Sequence, residues 1–97
     1  MELKVTDQAV EWYKNELDLQ TGEALRIFVR YGGHSPIQSG FSLGLMAEDP
    51  AEPAVSFRHP DLTFFIEEDD LWYFDGHDLI IRYNEEREEP EFDYIQP

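Results

Sequence analysis

The stretch that decides the fold class is Leu25-Arg26-Ile27-Phe28-Val29-Arg30-Tyr31-Gly32-Gly33-His34-Ser35-Pro36-Ile37-Gln38-Ser39-Gly40-Phe41-Ser42-Leu43-Gly44-Leu45-Met46-Ala47. Leu25, Ile27, Val29 and Tyr31 alternate with Arg26, Phe28 and Arg30, the period-two pattern of a half-buried β-strand. Phe41, Leu43 and Leu45 repeat it, with Ser42 and Gly44 on the opposite face. Gly44 inside a strand points to a bulge or to a close approach of another backbone. The connection 32–40 is too long for a tight hairpin. Its glycines admit positive φ and Pro36 restricts the chain, so it reads as a shaped loop between two strands. Such loops are a usual place for function, although a plain connector fits the local sequence equally well.

Upstream, Leu3 and Val5 suggest a short edge strand. Thr6 suits an N-cap and Asp7 suits the positive end of a helix dipole. Ala9, Val10, Tyr13 and Leu17 fall at helical spacing, which predicts a helix over 7–19 with Trp12 at the edge of its stripe and Gly22 as its stop. Trp12 and Tyr13 are read as core residues.

Downstream, 48–53 is a loop of prolines and acids. Residues 55–59 and 62–66 read as strands joined by a turn at His59-Pro60-Asp61. The acidic run Glu67 to Asp70 precedes apolar Leu71 to Phe74, where Asp69 or Asp70 suits the cap of a short helical turn. Asp75-Gly76 is a strong turn pair. A strand over 77–83 puts His77, Leu79, Ile81 and Tyr83 on one face. Residues 84–91 read as a charged, solvated loop, with a last short strand over 92–95. One helix among many short strands gives an α+β class, predominantly β, in a single domain over 1–97.

Composition narrows the partners. The 97 residues hold 22 acidic and 7 basic side chains, a net charge of −15. That field repels phosphate backbones and anionic lipid surfaces, so neither nucleic acid nor a membrane is expected. Cations and basic protein surfaces are the natural partners. There is no cysteine, which removes disulfides, thiolate metal sites and thiol nucleophiles together. No leader or membrane-spanning run is visible, so a cytoplasmic location is expected.

Three histidines are candidate ligands. His34 lies in the freely shaped loop, and imidazole binds iron, zinc, copper or nickel. His77, between Asp75 and Asp78, has the look of a carboxylate-oriented histidine. His59 before Pro60 reads as a turn residue. Their spacing matches no metal-binding pattern such as HExxH. No catalytic residues are assigned: Ser35, Ser39 and Ser42 lack a G-x-S-x-G context, and adjacent Glu67 and Glu68 face opposite ways in a strand. Arg26 and Arg30 are expected to pair with carboxylates. Trp72 and Tyr73, if exposed, offer an interface for a small homo-oligomer, a weaker option beside a monomer.

The order of elements, Leu3-Lys4-Val5-Thr6-Asp7-Gln8-Ala9-Val10, then Leu25-Arg26-Ile27-Phe28-Val29-Arg30 with Gly33-His34-Ser35, then Leu71 to Leu79, resembles the HesB/IscA family of A-type iron–sulfur carrier domains. The middle segment is similar to that family's LRxxVRxxGCSG and the last to its LxxLxGxxLDF. More closely, Arg30 to Gly44 and Phe64 to Phe74 resemble a cysteine-free branch of the family from Gram-positive bacteria. The resemblance implies a strongly bent, mixed β-sheet, or pseudo-barrel, with an N-terminal flanking helix. It places His34 where the family has its first cluster-binding cysteine, and Cys-Gly-Cys near the end has no counterpart here. The implied role is that of an accessory or binding protein rather than an iron–sulfur carrier, with no cofactor expected. Its partner-facing loop would comprise Gly33, His34, Ser35 and Gln38. The alternative is a metal protein or enzyme using His34 with His59 or His77 and nearby acids.

Overall fold

The computed structural model describes residues 1–97. In chain order the elements are β1 (Leu3–Val5), α1 (Asp7–Glu16), β2 (Glu23–His34), β3 (Ser39–Ala47), β4 (Pro53–Arg58), β5 (Leu62–Glu67), a 3-10 helix (Glu68–Phe74), β6 (Asp78–Asn84) and β7 (Glu89–Ile95). The fold is α+β and predominantly β, as the alternation of apolar residues implies. The strands form two mixed sheets, ordered β1-β6-β7 and β3-β2-β5-β4. In each, one parallel pairing (β1 with β6, β2 with β5) accompanies antiparallel neighbours. β1 packs beside β4, so the two sheets follow one another around the core.

Thr6 caps α1 as its residue type suggests, its Oγ1 accepting from the Ala9 N–H at 3.4 Å. The helix ends earlier than 19. Asp18, at φ 51°, takes the left-handed position usually given to glycine, and the Leu19 N–H reaches back to the Lys14 carbonyl at 2.9 Å. That closure satisfies the last carbonyls and turns Leu19 into the core, so Gly22 is not the stop. Ala9, Val10 and Tyr13 are buried against the sheets, while Trp12 packs at their edge.

The core is one cluster in which Phe64 and Ile66 of β5 meet Leu25 and Ile27 of β2, Leu79 and Ile81 of β6, and Tyr73 of the 3-10 helix. Every residue of β5 from Phe64 to Ile66 is buried. The unbroken apolar run is that of a strand covered on both sides and paired on both edges. Phe28 is opposite Gly44 in the β2–β3 register. A Cβ on Gly44 would lie 2.7 Å from Phe28 Cζ and from Arg30 Cδ. The glycine therefore answers a close approach of side chains, not of another backbone.

Two connections are shorter than the sequence suggests. The 32–40 loop shrinks to Ser35–Gln38, because β2 runs on to His34 and pairs with Ser39 across a bulge after Tyr31. Gly32 and Gly33, at φ 109° and 72°, make that bulge and keep the ladder going. The charged 84–91 segment is mostly hairpin. Asn84 Oδ1 accepts from the Glu86 and Arg87 N–H groups at 3.0 and 3.1 Å and tightens the turn. Pro90 is tolerated because β7 is an edge strand.

Candidate functional site

The hairpin tip between β2 and β3 carries the residues singled out from sequence. Gly33 and His34 are exposed and Gln38 is half-buried. Ser35 differs: it is buried, its Oγ accepting from the Gln38 N–H and donating to the Gln38 carbonyl, both at 3.1 Å. Its hydroxyl closes the tip from within. A Ser three residues before the end of a four-residue loop is a local closing signal.

No two of the three histidines share a hydrogen-bond partner, although His77 lines the same cleft as Pro36 and Ile37 of the tip. His77 Nδ1 sits 2.9 Å from the Phe74 carbonyl and closes the end of the 3-10 helix. His59 Nδ1 accepts from the Asp61 N–H at 3.1 Å, so in the neutral ring Nε2 carries the hydrogen and donates to Asp7 Oδ1 at 3.1 Å. That contact ties the β4–β5 turn to the start of α1. No group of three or more His, Asp or Glu side chains is arranged to hold a metal ion.

Beside the tip lies an aromatic ladder. Tyr31 and Phe41 are register partners across β2 and β3. Their rings meet edge to face at 5.7 Å between centroids, and Phe41 meets Trp72 of the 3-10 helix in the same way at 5.3 Å. The series continues inward through Trp72–Tyr73, and Tyr73 Oη lies 2.8 Å from Tyr94 Oη of β7. Tyr31 is 92% exposed and Trp72 is 52% exposed. Tyr73 is fully buried, so the expected Trp72–Tyr73 interface is not presented. A helix of three residues per turn sends consecutive side chains to different sides, with Trp72 outward and Tyr73 inward. The outward aromatic that Trp72 meets is Phe41. Tyr31, grouped by alternation with Leu25 and Ile27, lies beyond the end of the core and projects into solvent. Its exposure had no signal in the strand pattern.

The 3-10 helix is held to the sheet by charge. Arg26 donates to Asp70 at 2.9 Å and to Glu48 at 3.1 Å. The Asp70 hydrogen bond is the main reason the guanidinium holds its proton more tightly than usual. Arg30 makes no ion pair; its stem covers Gly44. Glu67, at the N-cap where Asp69 or Asp70 was expected, makes no capping bond to the 3-10 helix. Its buried carboxylate instead accepts from the Ala51 and Glu52 N–H groups at 2.8 and 2.6 Å. This fixes the loop over 48–52 before β4.

The family model for iron–sulphur cluster biosynthesis matches residues 1–94. The chain belongs to this family. Its HesB/IscA-like character extends to the fold: the structure of Escherichia coli SufA, involved in biosynthesis of iron–sulfur clusters, superposes with a TM-score of 0.57 at 18% identity, covering 99% of this chain and 81% of that one. A Bacillus subtilis (strain 168) protein named pyruvate dehydrogenase inhibitor is 51% identical over 94 residues, 97% of this chain and 99% of that protein. An uncharacterised protein of Staphylococcus haemolyticus is 38% identical over 84 residues, 84% of this chain and 85% of that one.

An iron–sulfur cluster is held by thiolates, and this family member has none. His34, at the position resembling a family ligand, is exposed and belongs to no group of three or more His, Asp or Glu side chains that could hold a metal. The donor set does not fit a cluster. No helix of the chain is long and apolar enough to cross a membrane.

Proposed function

We propose that this chain is a protein-binding regulator, and that the protein it acts on is pyruvate dehydrogenase, whose activity it lowers by contact. One observation carries the reading: the iron–sulphur biosynthesis fold is kept while every sulfur ligand is missing, so what the surface offers is shape, charge and exposed aromatics. The Bacillus subtilis relative, named pyruvate dehydrogenase inhibitor and 51% identical across almost the full length of both proteins, supports this target.

The partner-facing region is the tip holding Gly33, His34 and Gln38, with Tyr31 and Phe41 at its base. Exposed aromatic side chains contribute nothing to folding by staying in water, and Tyr and Trp are the residues that most often carry binding energy between proteins. Purified chain mixed with pyruvate dehydrogenase complex should co-sediment with it and reduce its turnover in proportion to the amount bound. Unchanged turnover with no co-sedimentation would leave this reading without support.

A further inference from the structure

Three features meet on the outer side of the 3-10 helix. The first is the aromatic ladder. Trp72 is half-exposed and Phe41 bridges it to Tyr31, which is almost wholly in solvent. Its aromatic contact within the fold is with Phe41, and the rest of its ring is in solvent.

The second is unspent charge. Of the run Glu67-Glu68-Asp69-Asp70, Glu67 is used by the loop before β4 and Asp70 by Arg26. Glu68 and Asp69 are exposed and make no ion pair or side-chain hydrogen bond in the structure. Asp69 and Trp72 are three residues apart in a 3-10 helix, which places them on the same side of it, one turn above the other.

The third is a cleft of about 310 Å³ walled by Arg26, Glu48, Glu52, Glu67, Glu68 and Asp69. Its lining holds one guanidinium and five carboxylates, so its net charge is negative. Asp69 belongs both to its wall and to the side of the helix that shows Trp72.

We propose that Tyr31, Phe41 and Trp72, with Asp69 on the same side of the helix and Glu68 in the acidic cleft that Asp69 shares, form a docking surface for an arginine-rich segment of a partner protein. The charge and the aromatic faces select the same occupant. A guanidinium stacks on Tyr and Trp rings and pairs with carboxylates in a forked geometry, and it is more weakly hydrated than an ammonium. A partner rich in acids is repelled by the net charge of −15, and a neutral one leaves Glu68 and Asp69 unpaired. The proposal rests on the reading of the chain as a protein-binding regulator and names the surface and the chemistry of its partner.

The test is the fluorescence anisotropy of a short, labelled Arg-Gly repeat peptide titrated with the chain. Tyr31 and Trp72 are exposed, so Tyr31→Ser with Trp72→Ser leaves the core intact. The double variant should weaken peptide binding roughly tenfold, the combined worth of two cation–π contacts. Glu85 and Glu86 lie in the β6–β7 turn, at the other end of that hairpin from Tyr94. Glu85→Gln with Glu86→Gln should change binding by less than about threefold, because distant exposed charges are screened. No binding to the parent chain, or equal losses in the two variants, overturns the proposal. Inhibition of pyruvate dehydrogenase by the same proteins separates this proposal from the earlier reading. If the parent and the aromatic variant inhibit equally, this surface is wrong and the regulator reading stands. If the peptide binds through the aromatics but the parent does not inhibit, the regulator reading falls and the surface stands.

Discussion

Arg26 Nη2 donates to Asp70 Oδ2 at 2.9 Å, joining the N-terminal part of β2 to the 3-10 helix that carries Trp72. Asp70 is only 13% exposed and Arg26 26%. Arg26 Nε is buried with no partner at all. The contact therefore matters more than a surface ion pair, and breaking it leaves a partly desolvated charge behind. Asp70→Ala should cost about 1–3 kcal/mol, read by urea denaturation. Asp70→Leu combined with Arg26→Leu should cost less than the sum of the single changes, since the double variant leaves neither group unpaired. Strict additivity would show that the two side chains do not depend on one another.

Burial pushes the hydroxyls of Tyr13 and Tyr94 above the ordinary tyrosine range, and at Tyr94 the bond to Tyr73 adds to the effect. The native state thus holds two protons that the unfolded chain releases near pH 10. Below about pH 10 both states keep these protons and the contribution to stability is fully present. Above it the unfolded state binds fewer protons than the native one, so stability falls as pH rises. Denaturation curves from neutral pH into alkali should show this decline, and Tyr13→Phe should make it shallower. A profile that stays flat above pH 10 would contradict the burial of these hydroxyls.

Glu67 is 7% exposed, and its two carboxylate oxygens each accept a backbone N–H from the loop before β4. Glutamine in its place keeps one acceptor and turns an NH₂ group toward a second donor. Glu67→Gln should lower stability by about 1–3 kcal/mol. It should also speed amide exchange at Ala51 and Glu52 in particular. Unchanged exchange at those amides would show that the loop is held by something else.

The sequence made some of these features legible and hid others. The central pair of strands, the Thr6 cap, the β4–β5 hairpin and the Asp75-Gly76 turn were readable because each depends on neighbours a few residues away. The pairing of Arg26 with acids followed from composition, since 22 carboxylates surround few cations. Its particular partners did not, because Glu48 and Asp70 are 22 and 44 residues distant. The helix stop moved because Asp18 adopts a conformation that glycine usually takes. The Gly-Gly bulge lengthened β2 because register is set by the partner strand, which local pattern does not contain. Tyr31 looked like a core residue by alternation. It is exposed because the core ends before the strand does. Of the proposed partner-facing surface, the tip with His34 was visible through its glycines and its family resemblance. The ladder from Tyr31 through Phe41 to Trp72 joins three separate segments and was not.

The missing thiolates give a direct expectation about cargo. Anaerobic incubation with iron and sulfide, followed by desalting, should leave the chain without a stable visible chromophore. His34→Ala should behave identically. A stoichiometric cluster that survives desalting would mean that histidine and carboxylates do what the fold's donor set does not support.

The most direct measurement is the rate of pyruvate dehydrogenase with increasing amounts of the metal-free chain. If the protein works by contact alone, turnover falls with each addition and levels off once the binding sites are filled. A rate that never changes, or one that drops only after the chain has been loaded with iron and sulfide, contradicts the account.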